Sequence, residues 1–303
     1  MRKPAGFEDL RDDLLTVANL AAYYAEHSSR FQPSSRAGLD AAESQYAFTY
    51  ISRPGLELTL MAGRCLALAG EMARGVAHLL AAEGTLYSPI ALIRPVMVSA
   101  SRCICLTDGT VDTRERVRRW ANFSIESAVE QANLYPEGSE ARASAVARIE
   151  RFREMETSIG HPFAKRSKPY AGLAQGYGFG VAESEIKMVK RLIEQEIQPG
   201  GVDVNQMMYR LASSLIHGLE YGPIMHIARE TAVETVSDPS VLSAQAGMTL
   251  PNAAIWFTSV LLAVQEATAS LLTHQGRSTH KLAQEIQPIL VGWRAIYPRT
   301  GSA

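Results

Sequence analysis

A chain of 303 residues that is 47% hydrophobic and 20% charged has the composition of a folded globular protein, which excludes a disordered or fibrous chain. With 30 Lys and Arg against 31 Asp and Glu, the formal net charge is -1, so no overall field draws the molecule to nucleic acid or to an anionic membrane. The cysteines, Cys65, Cys103 and Cys105, are odd in number and lack the spacing of a redox or zinc pair, so they read as small core residues of a cytoplasmic protein.

The opening segment MRKPAGFEDL has no apolar run behind its basic residues, so no secretory signal is expected. Helical periodicity begins at Phe7–His27. Ser28–Pro54 carries Pro33, Pro54 and a Ser-Ser-Arg cluster around a short amphipathic piece, Leu39–Tyr50, and reads as a long ordered connection. Leu56–Glu83 is rich in Ala and Leu nearly all round, which predicts a central helix. On it Arg64, Glu71 and His78 recur at seven-residue spacing with Arg74 close by, a polar seam that either ties helices together or lines a cleft.

Ser88–Leu106 follows, then Thr113–Leu134, where Asp112 and Glu115 resemble a capping box and Val117, Trp120, Ala121, Ser124 and Ala128 form an inward stripe. Pro136-Glu137-Gly138 breaks the pattern, and Ser139 is placed to cap the next helix, Ser139–Ser158. Glu183–Ile197 and Val204–His217 are helical on either side of Gln198-Pro199-Gly200-Gly201. Tyr221–Thr249 holds β-branched residues about Ser237-Asp238-Pro239-Ser240 and predicts a short β-hairpin or an irregular lid. Pro251–His274 and Ser278–Tyr297 complete an all-α chain of about nine helices, expected as a single domain over residues 1–303. The apolar run Leu250–Leu272 is interrupted by Asn252, Gln265 and Glu266, so it reads as a buried helix and no membrane partner is expected.

Several clusters are candidates for chemistry. In a helix, Arg210 and His217 share a face, with Ser213 and Ser214 between them. An Arg fork suits phosphate and a His suits general-base work, although His217-Gly218 is also a plain helix end. Lys165 and Arg166 sit in a basic stretch, His161–Tyr170, that is either a phosphate-contacting loop or a solvated one. Asp108 and Asp112 are spaced like carboxylates that hold magnesium on a diphosphate, or else they cap a helix. His217, Glu220, His226 and Glu230 are close in sequence, but Gly218, Gly222 and Pro223 interrupt any helix there, so no metal site is expected and no cofactor is implied.

Ile90–Pro95 through Asp108 to Arg119, together with Tyr209–Ser213 and His217-Gly218, resembles an uncharacterised helical family common in actinobacteria. The second segment is also similar to the Arg and His motif of the HEPN superfamily of helical nucleases. That resemblance implies metal-independent cleavage of RNA, with His217 activating a ribose hydroxyl and Arg210 stabilising the phosphorane in a site shared by a homodimer, or an inactive relative that only binds RNA. A second expectation is an enzyme or binding protein for an apolar small molecule of prenyl or polyketide type, held in an enclosed pocket bordered by Trp256, Phe257 and Trp293 with Arg94 and Asp108 at a charged end. A third is a helical adaptor without chemistry. The residues expected to line a site are therefore Arg64, Glu71, Arg74, His78, Arg94, Asp108, Lys165, Arg166, Ser213 and Ser214, with Arg210 and His217 as the catalytic pair.

Overall fold

A computed structural model of the chain describes residues 4–43, 47, 51–82, 87–159, 188–189, 209–210, 212–213 and 249–296. Among these residues the fold is all-α, as the periodicity predicts, and no strand forms. The helices are α1 (Phe7–Glu26), α2 (Arg36–Ala42), α3 (Pro54–Leu80), α4 (Tyr87–Ala91), α5 (Ile93–Thr107), α6 (Thr113–Leu134), α7 (Glu140–Ile159), α8 (Leu250–His274) and α9 (His280–Arg294). Met188, Val189, Tyr209, Arg210, Ala212 and Ser213 are helical as well, within the two segments expected there. The expected hairpin or lid lies outside the described residues except for Thr249, whose hydroxyl accepts from the Asn252 N–H to cap α8.

Side-chain caps set several boundaries. Asp112 accepts from the Glu115 N–H at 2.8 Å to open α6, and Ser139 accepts from the Arg142 N–H at 3.3 Å to open α7. Two boundaries differ from the sequence reading. The predicted helix Ser88–Leu106 is split at Leu92, because Pro95 has no N–H to donate and its ring crowds the carbonyl of the residue four before it, Ala91. The piece predicted at Leu39–Tyr50 forms earlier, at Arg36–Ala42, because Ser35 accepts from the Gly38 N–H and nucleates the turn there.

Small residues bring α3 close to its neighbours. A Cβ on Gly63 would run into Ser28, and one on Gly70 would press against Ala21 and the Ala18 carbonyl, so α1 and α3 lie antiparallel at short range. On its other side α3 packs against α5 and α8. The Cys103 thiol reaches the Ala267 carbonyl and Thr107 meets Ser270, so α5 and α8 run in the same direction. The expectation that α3 is central holds, with Leu58, Leu66, Ala69, Ala73 and Val76 fully buried. Ser88–Thr107 and Leu250–His274 are long and apolar enough to cross a membrane, but 67% and 72% of their apolar windows are buried inside the fold, where they serve as core helices.

This directionality gathers the C-terminal ends of α1, α5 and α8 and the N-terminal ends of α3 and α6 at one end of the bundle, with α2 lying across them. Gly55, at the foot of α3, makes that possible: its missing side chain is replaced by the backbone of Asp40, and any Cβ there would strike the Asp40 carbonyl. We expect Gly55→Ala to lower stability by about 1–3 kcal/mol through overpacking. Gly75→Ala, which meets only the flexible Cδ1 of Leu92 at 3.1 Å, should be neutral or stabilising. Chemical denaturation of both variants checks this, and equal effects would contradict the packing account.

Candidate functional site

At this end of the bundle a charged pair is almost completely withdrawn from water. The Asp40 and Arg116 side chains are 0% and 4% exposed, and the guanidinium grips the carboxylate through Nε to Oδ2 at 2.8 Å and Nη2 to Oδ1 at 2.7 Å. Thr113 donates a third hydrogen bond to Oδ1 at 2.6 Å. The remaining face of Arg116 donates from Nη1 to the carbonyls of Asp108 and Val111, which fixes the connection between α5 and α6. The pair thus joins α2 to α6 and leaves few donors or acceptors unmet.

His274, the last residue of α8, stands beside this pair. Its Nε2 is 3.8 Å from Asp40 Oδ2 and 3.4 Å from Thr59 Oγ1. The Thr59 hydroxyl proton is directed to the Gly55 carbonyl at 3.0 Å, so both neighbours of Nε2 present lone pairs and the assigned tautomer carries its proton on Nε2. Nδ1 is then a bare acceptor, and this buried atom has no hydrogen-bond partner among the described residues. Burial lowers the pKa of His274 from 6.5 to about 4, helped by Arg116 and Arg36 and opposed by Asp40, so the ring is neutral near pH 7.

Residue His274, its imidazole fully buried, also borders an open cleft of about 300 Å³ between the ends of α5 and α8, with Thr107, Ser270, Thr273 and Glu266 supplying polar groups and Ile104 and Ala269 apolar ones. Arg36 forms part of its rim, with its guanidinium filling the space where Gly109 has no side chain. Thr107 and Ser270 are hydrogen-bonded across the cleft wall at 2.7 Å. The end of α8 turns out of the site by a Schellman arrangement: the Arg277 N–H reaches the Leu272 carbonyl, the Gly276 N–H reaches that of Thr273, and Gly276 takes a φ of 70°.

The residues singled out from sequence fall elsewhere. Arg64, Glu71 and His78 are exposed along α3, and Arg74 donates to Asn19 of α1 at 2.9 Å. No ion pair between Glu71 and Arg74 is needed, because the Ala and Gly residues of α3 carry the burial and leave these charges in water. Arg94 and Ser213 do meet, at 3.3 Å, and Arg94 lies over the Tyr209 ring at 5.2 Å. That contact is at the beginning of α5, whereas the cleft is at its end, roughly 20 Å away at the helical rise. Arg210 is exposed; His217, Ser214, Lys165 and Arg166 lie outside the described residues.

Asp108 and Asp112 are occupied by local structure. Asp112 caps α6, while Asp108 accepts from the Thr110 N–H and hydroxyl through Oδ1 and from Arg119 through Oδ2. Burial opposes ionisation of Asp108, but these hydrogen bonds outweigh it and hold the carboxyl below its ordinary range. Among the described residues no three His, Cys, Asp or Glu side chains gather as a metal site. Burial raises the Cys65 thiol to about 11 and Cys103 well above its usual value, so neither is a thiolate nucleophile. Trp256, Phe257 and Trp293 are buried in the common core, with Trp293 Nε1 donating to Asp13 at 2.8 Å.

Sequence reading passed over Asp40, Arg116 and His274. One signal was present: Arg116 falls four residues before Trp120 on the inward face of α6, and a guanidinium there must find a carboxylate. Comparison with known proteins finds no matching family, no similar curated protein and no similar solved structure.

His274 makes stability depend on pH. The unfolded imidazole takes a proton near 6.5 and the folded one only near 4, so its contribution is complete above pH 6.5 and is lost as the pH falls toward 4. The loss amounts to roughly 3 kcal/mol. Unfolding free energies measured between pH 7.5 and 4.5 should decline for the wild type and decline less for His274→Gln, which keeps a donor near Nε2 but does not titrate. Parallel curves would refute the assignment.

Proposed function

We propose that this protein binds a small molecule in the cleft between the ends of α5 and α8, and that it holds this ligand without His274 acting as a general base. The observation that carries this reading is a cleft of about 300 Å³ whose walls carry the hydroxyls of Thr107, Ser270 and Thr273, with Arg36 on its rim. A general base works best with a pKa near the operating pH, and a ring held near 4 is too weak a base for that role. The arrangement favours recognition over catalysis.

The cleft volume lies at the small end of the range for ligand sites, and its lining includes the hydroxyl-bearing Thr107, Ser270 and Thr273. A compact polar ligand therefore fits better than the extended apolar chain of a prenyl or polyketide intermediate. The ribonuclease reading rests on Arg210 and His217, of which Arg210 is exposed and His217 lies outside the described residues, so the cleft supports the more specific proposal. Cys65, Cys103 and Cys105 are thiols and not disulfides, which favours a cytoplasmic setting.

A plug tests the site. Ala269 is half-buried in the cleft wall, and Ala269→Phe fills the space without touching the Asp40–Arg116 pair. In a thermal-shift screen of polar fragments, wild-type protein should yield ligands that raise Tm, and Ala269→Phe, still cooperatively folded, should lose the response. Ligands that stabilise both proteins equally, or a screen without any ligand, would overturn the proposal.

A further inference from the structure

We infer that the ligand of the cleft is a small hydroxylated monocarboxylate, held by its carboxylate on the Arg36 guanidinium and by its hydroxyls on the Thr273 and Ser270 side chains. This rests on the cleft being a binding site and adds the chemistry of its occupant. The first support is an unanswered charge. Arg36 stands four residues before Asp40 on α2, the spacing at which a helical Arg and Asp pair, but both Asp40 oxygens are taken by Arg116 and Thr113. No ion pair or hydrogen bond to Arg36 replaces it among the described residues, and Glu266, which lines the same cleft, is engaged otherwise. The charge of Arg36 reaches into the site, where it helps to keep the buried His274 ring unprotonated.

The second support is the seat of that guanidinium. Its Nη1 occupies the place where a Cβ on Gly109 would stand, so the missing side chain lays the planar fork at the cleft mouth, where it can take a carboxylate in a bidentate grip. The third support is the walls. Thr273 is exposed, and its hydroxyl has no partner among the described residues. Thr107 donates to the Cys103 carbonyl at 2.9 Å, so Ser270 donates to Thr107 at 2.7 Å and keeps its own lone pairs for a ligand. A ligand hydroxyl, which both donates and accepts, satisfies either group. The walls also limit the charge to one. α5 and α8 turn their C-terminal, partially negative ends to the cleft and Glu266 adds a carboxylate, so the single guanidinium balances one carboxylate and not a phosphate dianion.

The test titrates the full chain by calorimetry at millimolar concentration with lactate, glycerate and gluconate, with the neutral amide of each, and with glycerol 3-phosphate as the dianion. We expect at least one of the three acids to bind, its amide to bind at least about tenfold more weakly, and glycerol 3-phosphate to bind more weakly than the acid. Arg36→Gln, which removes the charge, and Gly109→Ala, which keeps it but displaces the guanidinium from its seat, should each weaken the acid about tenfold. Both positions are exposed, so the variants do not depend on the core, and thermal melting verifies that they fold. An amide that binds as tightly as its acid, glycerol 3-phosphate that binds more tightly, either variant with unaltered affinity, or no binding of the acids would overturn the inference. If other fragments still bind in a manner abolished by Ala269→Phe, the cleft remains the site and only the ligand class falls; if none do, both readings fall.

Discussion

The buried pair of Asp40 and Arg116 is the interaction on which this end of the molecule depends. It fastens α2 to α6, holds the Asp108–Asp112 connection by its carbonyls, and places a carboxylate oxygen behind His274. Such a pair gains little net energy over well-packed apolar groups, because desolvation of both charges offsets their attraction. Losing one partner is another matter: it leaves an uncompensated buried charge, at about 3–5 kcal/mol, a large share of the 5–15 kcal/mol by which a domain is folded. The pair is better understood as a positioning device than as a source of stability. Its worth lies in presenting His274 in one tautomer.

Helix direction explains why the site is at this end and no other. Gly63 and Gly70 set α1 antiparallel to α3, and the contacts of Cys103 and Thr107 with α8 set α5 parallel to it. The result collects helix C-termini on both sides of one cleft, with α2 held across the end by the close approach at Gly55. Helix dipoles and a rim guanidinium then act on the same small volume. Each would be unremarkable alone.

Much of the fold was legible because long amphipathic helices announce themselves. Thr113–Leu134, its Asp112 cap and the Ser139 cap were readable from spacing and capping chemistry. Leu92 shows why a break was missed: helical periodicity continues across it, and only the backbone cost at Pro95 divides the segment. The site was less legible for a related reason. Arg64, Glu71 and His78 share a face by sequence spacing, but whether that face is wet depends on where neighbouring helices pack, and they pack on the opposite, small-residue side. Asp40, Arg116 and His274 are separated by 76 and 158 residues, so only tertiary structure brings them together. A charged residue within an apolar stripe, as at Arg116, was the one local sign.

The central claim is that the Asp40–Arg116 pair holds His274 beside the cleft as a buried, neutral imidazole protonated on Nε2. Nitrogen-15 NMR of the imidazole at neutral pH measures this directly. The account predicts a neutral ring protonated on Nε2, with a bare Nδ1 resonance. A proton on Nδ1, or a doubly protonated ring, would contradict it.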